Sequence, residues 1–214
     1  GMILLLAPLC AATKHDDLHD GVKLVLAALD AHDTAQVYDA IRLAQPGGLG
    51  DVSKGDVRDE PTMSLREAMS HAADREAVAR QYVNDFADVF ECVIPGITRR
   101  YDAGMSLDQA IVAAHLQLMA DEPDSLIRRK CGDAVAEESS QRANALLDAG
   151  YPTVQASHTA FAEFDQWLRT DGNRRNPGTS ADLIAAGLFV AFWTGALPLQ
   201  FRWSQSLTML MDTE

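Results

Sequence analysis

The chain has 214 residues, of which 47% are hydrophobic and 23% are charged, proportions typical of a globular domain with a substantial core. A formal net charge of −13 argues against bulk attraction to nucleic acid or to an anionic membrane. The three cysteines, Cys10, Cys92 and Cys131, lack CxxC spacing and favour reduced intracellular thiols over a disulfide framework or a zinc site.

The first 45 residues are predicted to be helical. The apolar run over residues 2–10 is too short to span a bilayer and lacks the basic start of a secretion signal. We interpret it as a buried helix that tolerates Pro8 in its first turn. Apolar spacings of three and four predict a second helix from Asp16 to Leu29. Asp33-x-x-Gln36 resembles a capping box and predicts the start of a third helix.

A glycine-rich segment over residues 46–62 separates these helices from the next. Loops of this length are usually either functional or disordered, and both alternatives stay open here.

Ser64-Leu65-Arg66-Glu67 is a capping box, and the helix that it starts is expected to continue to about Phe90. Within that helix Glu67, Asp74 and Gln81 are seven residues apart and would share one stripe. A solvated face with intrahelical ion pairs is the more common outcome for such charges.

Turn and capping signals divide the middle of the chain. Pro95-Gly96 is expected to break the helical pattern. Ser106-x-x-Gln109 predicts the cap of a helix from Leu107 to Met119. His115 lies on or beside the apolar face of this helix, where a lone histidine is more often a core residue than a ligand.

The densest basic cluster, Arg128-Arg129-Lys130, falls in the next predicted helix, which starts at Asp124-Ser125 and is expected to end near Ala149. Three adjacent helical residues cannot all face one way. One or two of these cations could therefore reach a phosphate, although a solvated charged run is the alternative.

The segment from Asn173 to Asp182 carries the functional prediction. Pro177 and Gly178 predict a turn that lets the backbone approach a ligand, and Thr179 or Ser180 would cap an apolar helix. The free N–H groups and positive dipole end of such a helix suit an anion. Asp182 in the first turn could hold a divalent cation or merely favour the dipole. Neighbouring Arg174, Arg175 and Asn176 favour an anion site over a well-capped buried helix.

No stretch alternates with the period of two that strands require, so the sequence predicts one all-α domain over residues 1–214 with eight to ten helices. A P-loop, a Rossmann glycine motif after a strand, and an HExxH zinc motif are all absent from the sequence.

Several motifs together resemble the triphosphoribosyl-dephospho-CoA synthase family, and in particular its branch near tetrahydromethanopterin-type C1 genes. The similarity extends over nearly the whole chain. The motifs are Pro46-Gly47-Gly48-Leu49-Gly50, Ser64-Leu65-Arg66-Glu67-Ala68-Met69, Ala73-Asp74-Arg75, Ala79-Arg80-Gln81-Tyr82, Pro123-Asp124-Ser125-Leu126-Ile127, Arg129-Lys130-Cys131-Gly132 and Asn176-Pro177-Gly178-Thr179-Ser180-Ala181-Asp182-Leu183.

The resemblance implies an all-α cytoplasmic enzyme that joins ATP and 3'-dephospho-CoA and releases adenine. Mg²⁺ would accompany ATP, and cations and carboxylates would stabilise the charges on the triphosphate and the ribose. The residues it implies are Glu67 and Asp74 for catalysis; Arg75, Arg129, Lys130, Asn176, Gly178, Thr179 and Ser180 for nucleotide phosphates; and Asp124 and Asp182 for Mg²⁺.

Two departures qualify the resemblance. Family members begin with a further segment that would precede Gly1. The citrate lyase branch has Arg-Gly-Gly and Pro-Gly-Gly-Ser where this chain has Arg129-Lys130-Cys131 and Pro177-Gly178-Thr179-Ser180, so a different acceptor is an open alternative. The second hypothesis is a catalytically incomplete helical protein that binds a nucleotide or a partner and forms a homodimer through an exposed core edge.

Overall fold

A computed structural model of the chain describes residues 1–44 and 57–204. Over these ranges the chain forms eleven α-helices, one π-helix and one 3₁₀-helix, and no strand. The prediction of an all-α fold is confirmed, with one α-helix more than expected. The chain divides into two compact units, Gly1–Asp88 and Val89–Glu214, so the prediction of a single domain stays a prediction. None of the helices in the described ranges has the length and apolar character of a membrane span.

Parts of two predicted elements lie outside the described residues. These are residues 45–56 of the glycine-rich segment and residues 205–214, which include most of a last short helix that the sequence pattern predicts from Phe201 to Met211. Residues 201–204, where that helix was expected to begin, are not helical.

The first unit contains five α-helices. They are α1 (Met2–Ala12), α2 (Leu18–Ala28), α3 (Ala31–Ala44), α4 (Leu65–Ser70) and α5 (Ala77–Val83). Helix α3 begins earlier than the predicted cap at Asp33, because Asp30 caps it instead. The Asp30 carboxylate accepts the N–H groups of His32 and Asp33, at 2.8 and 3.2 Å. Asp33 in turn accepts the N–H of Asp30 at 2.9 Å, which completes a reciprocal cap one turn upstream.

Pro8 lies in the middle of α1 and not in its first turn as predicted. Because proline has no N–H, the carbonyl of Leu4, four residues earlier, loses its intrahelical donor. The hydroxyl of Tyr82 replaces that donor and lies 2.6 Å from the Leu4 oxygen. Tyr82 is only 2% exposed, and burial raises the pKa of its phenol, which therefore stays protonated and able to donate. This hydrogen bond ties α5 to α1.

The prediction of one continuous helix from residue 64 to residue 90 is wrong. Helix α4 ends at Ser70, and α5 ends at Val83, where Asp85 and Phe86 take φ angles of 57° and 63°. Phe86 is completely buried, so tertiary burial overrides the local helical pattern. The stripe proposed for Glu67, Asp74 and Gln81 does not form, because Gln81 is fully buried while the other two side chains are exposed.

The second unit contains the remaining helices. They are the π-helix at the boundary (Asp88–Val93), α6 (Ile94–Asp102), α7 (Leu107–Asp121), α8 (Ser125–Cys131), α9 (Asp133–Asp148), the 3₁₀-helix (Gln155–Ser157), α10 (His158–Arg169) and α11 (Gly178–Trp193). Pro95-Gly96 does not break a helix but lies in the first turn of α6, where proline costs no hydrogen bond.

Helix α7 is central to this unit and contacts α6, α9 and α11. The core that it shares with α9 and α10 consists of Leu116, Met119, Ala143, Leu146 and Phe164. The helix predicted from residue 125 to residue 149 is in fact two helices. They separate at Gly132, whose φ of 86° an L side chain rarely adopts.

Replacing Tyr82 by Phe is expected to lower the free energy of unfolding by about 1–3 kcal/mol, because a buried carbonyl loses its donor. In a Pro8→Ala background the restored N–H can donate to Leu4, so the same Tyr82→Phe change should cost much less. A double-mutant cycle by chemical denaturation measures this coupling. Equal costs in the two backgrounds would contradict the role assigned to the hydroxyl.

Candidate functional site

The carboxylate of Asp124 joins the N-termini of two helices. Its Oδ1 accepts the N–H groups of Leu126 and Ile127 at 2.9 and 3.1 Å and so caps α8. Its Oδ2 accepts both the N–H and the hydroxyl of Ser180, each at 2.8 Å, in the first turn of α11. Because Asp124 is only 5% exposed, these bonds are shielded from water. The anion at the start of α11 is therefore a side chain of the protein itself.

Two hydroxyl contacts extend this connection into a buried polar cluster. Ser125 Oγ donates to Thr179 Oγ1 at 3.0 Å, again between α8 and α11. His115 Nε2, on α7, lies 2.9 Å from Ser180 Oγ. Since the single hydroxyl proton of Ser180 can be given to Asp124, the same oxygen can accept from the imidazole. Three helices thus meet at Asp124, Ser125, Thr179, Ser180 and His115, which we call the polar cluster.

The predicted Mg²⁺ and phosphate roles change with this geometry. A carboxylate has about four lone-pair positions, and Asp124 uses four of them for protein donors. It has no open position for Mg²⁺ in this arrangement. Thr179 and Ser180 are buried and bonded within the protein, so their hydroxyls hold the two helices together. Across residues 1–44 and 57–204, no group of three or more His, Cys, Asp or Glu residues could hold a metal ion.

A cavity of about 250 Å³ lies next to the polar cluster. Helices α7 and α10 form most of its lining, and the segment after α10 closes one side. The lining residues are Val112, His115, Leu116, Met119, Phe161, Phe164, Asp165, Leu168, Arg169, Asn173, Asn176 and Pro177. His115 therefore belongs to both the cavity and the polar cluster.

His115 is held in its neutral form. Burial lowers the pKa of its imidazole, and the negative charge of Asp124 and a hydrogen bond to the Pro177 carbonyl oppose this only in part. A neutral ring next to an apolar cavity avoids the cost of burying a positive charge.

The segment over residues 170–177, which we call the cavity loop, is fixed by its two arginines. Arg174 donates to the carbonyl of Lys130 at 2.7 Å, at the C-terminal end of α8. The guanidinium of Arg175 lies 4.5 Å from the ring centre of Trp167 and donates to the carbonyl of the same residue at 3.1 Å. Arg142 lies 4.7 Å from that indole ring as well. The loop arginines thus have defined partners within the protein.

The cations Arg128, Arg129 and Lys130 lie at the end of α8 that contacts the cavity loop, through the bond from Arg174 to the Lys130 carbonyl. The three cations differ in their surroundings, as helical geometry requires. Arg128 pairs with Asp133 at 3.0 Å. All three side chains are half-buried, and Lys130 has no ion pair with any residue in the described part of the chain.

Three residues of the predicted site belong to the first unit. Glu67 and Asp74 are exposed, and so is Arg75, which donates to the carbonyl of His71 at 3.0 Å. The cavity and the polar cluster are built from the second unit alone. In that unit Asp182 is half-buried in the second turn of α11 and not in the first turn as predicted, because the helix begins at Gly178 with Pro177 as its N-cap, and neither Thr179 nor Ser180 is the cap. Gly178 packs so closely on Leu126 that an added Cβ would lie 2.6 Å from the Leu126 side chain.

Sequence reasoning did not identify His115, Ser125 or Trp167 as parts of this arrangement. The sequence placed His115 on the apolar face of α7 but could not show that Ser180 lies beside it. Ser125 follows a helix cap and has no signal of its own. Trp167 belongs to no motif that would connect it with Arg142 or Arg175, its two arginine partners.

Replacing Asp124 by Ala is expected to lower the free energy of unfolding by roughly 2–3 kcal/mol, because two helix caps are lost and the buried Ser180 N–H is left unpaired. Ser180→Ala keeps the carboxylate and should cost about 1 kcal/mol. The exposed Glu137 is the control, and Glu137→Ala should change stability by less than about 0.5 kcal/mol. Thermal and chemical denaturation measure all three; an Asp124→Ala protein as stable as the control would contradict the shared cap.

The lowered pKa of His115 predicts a pH dependence of stability. Below about pH 6.5 the unfolded chain binds a proton at this imidazole and the folded protein does not. Stability should therefore fall as the pH is lowered from about 6.5, and this part of the fall should disappear in His115→Gln. The exposed His71 provides the matched control, His71→Gln. An unfolding free energy with the same pH slope in His115→Gln and in the unsubstituted protein would refute the assignment.

Comparisons with known proteins agree with this architecture. A crystal structure from Archaeoglobus fulgidus, assigned by name to triphosphoribosyl-dephospho-CoA synthase, superimposes with a TM-score of 0.71 and 26% sequence identity. The match covers 92% of this chain and 83% of the other. A Pseudomonas syringae pv. tomato relative, named as a 2-(5''-triphosphoribosyl)-3'-dephosphocoenzyme-A synthase, is 27% identical over 173 residues. Those residues are 79% of this chain, which spans only 56% of that relative's length.

A family model covers almost all of the described residues. The model of ATP:dephospho-CoA triphosphoribosyl transferase matches residues 1–199, which include both compact units up to the end of the segment after α11. The resemblance carried by the sequence motifs is therefore confirmed, and this chain belongs to the ATP:dephospho-CoA triphosphoribosyl transferase family.

Proposed function

We propose that the chain acts in the transfer of the triphosphoribosyl group of ATP to the 2'-hydroxyl of 3'-dephospho-CoA. The observation that carries this proposal is the family match over residues 1–199. In the reaction, the hydroxyl oxygen forms a bond to C1 of the ATP ribose, and the bond from C1 to adenine breaks. The hydroxyl proton leaves, and adenine is released in its neutral form.

An acidic protein must bind a triphosphate through local cations, because its overall field repels anions. Arg129 and Lys130 are the candidates in the second unit, at the end of α8 that the cavity loop contacts. Lys130 is the better supported of the two, since its ammonium group is half-buried and has no ion pair in the described ranges. We propose that Lys130 binds a phosphate oxygen of ATP.

The remaining second-unit residues fall into two groups. Thr179, Ser180 and Gly178 support the site by fixing α11 against α8, whereas Asn176 belongs to the lining of the cavity. Mg²⁺ enters with ATP as part of the substrate and is commonly held by one or two carboxylates together with phosphate oxygens. Asp182 fits this pattern as a single carboxylate, and Asp124 does not.

Three further candidates belong to the first unit. Glu67 and Asp74 remain our candidates for stabilising positive charge at the ribose, and Arg75 for a further phosphate contact. All three are exposed, as groups that meet a substrate must be. Their roles rest on the family motifs in which they lie.

We also propose a cytoplasmic location, which the free thiols of Cys10, Cys92 and Cys131 favour.

A homodimer is a further proposal. Large apolar side chains that are more than half exposed, Ile3, Leu24, Leu43, Trp193 and Leu199, would favour association. Sedimentation or light scattering measures the oligomeric state.

With ATP, Mg²⁺ and dephospho-CoA the protein is expected to release adenine, detected by liquid chromatography, and omission of dephospho-CoA should abolish the release. Lys130→Gln should lower kcat/KM by roughly 10- to 100-fold, the effect of losing one charge-assisted bond to phosphate. Lys14→Gln, at an exposed position of the first unit, is the matched control and should leave kcat/KM unchanged.

The outcome that would contradict the proposal is specific. If the folded protein neither binds MgATP nor releases adenine when both substrates are present, the transferase function fails. Binding of MgATP without adenine release would instead support the catalytically incomplete alternative. A thermal shift measured with MgATP distinguishes these two results.

A further inference from the structure

The cavity beside the polar cluster has the size of one ring system and not of a whole nucleotide. Its volume is about 250 Å³, below the range of roughly 300–1,000 Å³ that pockets for complete small ligands occupy. A larger substrate can therefore place only one of its groups there. The phosphates, the ribose or the pantetheine arm of such a substrate would lie outside.

The cavity lining is close to electrically neutral. Arg169 and Asp165 are its only residues with a permanent charge, and they pair with each other at 2.7 Å. His115 is uncharged because burial lowers the pKa of its imidazole. A phosphate in this cavity would find no unpaired cation, whereas an uncharged group would lose little on leaving water.

The interior of the cavity is apolar and aromatic. Helix α10 contributes Phe161 and Phe164, and α7 contributes branched and thioether side chains. Phe161 is itself held in place by stacking on Tyr151, with ring centres 4.2 Å apart and planes 9° from parallel. Aromatic side chains are the surfaces on which nucleic-acid bases commonly stack in proteins.

The cavity loop adds two residues with side-chain amides, Asn173 and Asn176, to the lining. The backbone of the loop is ordered by its own bonds, from Asn176 N–H to the Asn173 carbonyl at 3.1 Å and from Gly178 N–H to the Asn176 carbonyl at 2.8 Å. Neither amide side chain has a hydrogen-bond partner among residues 1–44 and 57–204. An amide offers one donor and one acceptor side by side, the pattern that matches the N6 and N7 edge of adenine.

From these observations we infer that the cavity between α7, α10 and the cavity loop binds an adenine base, with Asn176 at its edge. The inference rests on the proposed function, because both of its substrates, ATP and dephospho-CoA, contain adenine. The shared chemistry is the base itself. Lys130, at the end of α8 that the same loop contacts, lies outside the lining of the cavity, and we propose that it binds phosphate there.

Titration calorimetry of the whole chain with free adenine tests the inference directly. Adenine should bind to the unsubstituted protein, and Asn176→Ala should weaken binding by roughly 10-fold, the effect of one lost amide pair. Val112→Phe should abolish binding by filling the cavity. The controls are Asn144→Ala on the exposed face of α9 and Val154→Phe at an exposed position, neither of which lines the cavity.

Two further titrations identify the source of the base. If the cavity holds the base of ATP, Asn176→Ala weakens MgATP binding and leaves dephospho-CoA binding unchanged; the reverse result assigns the cavity to the acceptor. Tripolyphosphate, which has no base, should bind equally to all variants.

The inference is overturned if adenine does not bind, or if it binds equally well to Asn176→Ala and to a folded Val112→Phe. Should Val112→Phe fail to fold, Asn176→Ala decides alone, because this exposed position tolerates Ala. Either negative result refutes only the adenine cavity. The proposed function stands if adenine release still depends on dephospho-CoA. Conversely, if the variants weaken adenine binding but no triphosphoribosyl group is transferred, the adenine cavity is supported and the proposed reaction is refuted.

Discussion

Asp124 is the residue on which the geometry of the second unit depends. Helix N-termini have N–H groups without intrahelical partners, and two such ends would repel each other if they were brought together without a counter-charge. One buried carboxylate solves this problem for α8 and α11 together, with two bonds to each helix. The cavity depends on the same carboxylate, because Ser180 connects it to His115 in the lining. The cavity loop leads directly into α11, so the position of the loop depends on the same junction.

The junction also explains why residues that resemble an anion site in the sequence have a structural role. Gly178, Thr179 and Ser180 have the composition of a loop that binds a phosphate at a helix start. The same composition serves an internal carboxylate equally well, since a side chain of the protein and a ligand present the same oxygen atoms. Only the identity of the partner differs, and that partner is 56 residues away along the chain. Sequence spacing alone cannot distinguish the two cases.

Helix boundaries could be predicted from the sequence only where the residues that signal them are close together along the chain. The helix starts at Ser64 and Ser106 were identified because each serine and its capping partner are three residues apart. Ser64 Oγ accepts the Glu67 N–H, and Gln109 Oε1 accepts the Ser106 N–H. The breaks at Asp85-Phe86 and Gly132 were not identified. Phe86 leaves the helical region because of its burial in the tertiary structure, and no nearby proline or glycine indicates this. For the site, the family motifs assigned the cations of α8 and the loop of Asn173 to Asp182 to the same nucleotide phosphates. It could not find the contact of His115 with Ser180, which are 65 residues apart.

A nucleotide requires opposite surroundings at its two ends, and α8 can separate them. Asp124 lies at the N-terminus of α8 and Lys130 in its last turn, so a helix of seven residues, roughly 10 Å long, spans the two. The cavity loop reaches the C-terminal end of α8, where Arg174 donates to the Lys130 carbonyl, and it ends at Pro177, whose carbonyl lies 3.2 Å from Ser180 Oγ in the polar cluster. The loop therefore connects a cavity with a neutral lining to the helix end that carries Lys130. For a protein of net charge −13, local cations beside a neutral cavity are an arrangement that would suit an anionic nucleotide without requiring a basic surface.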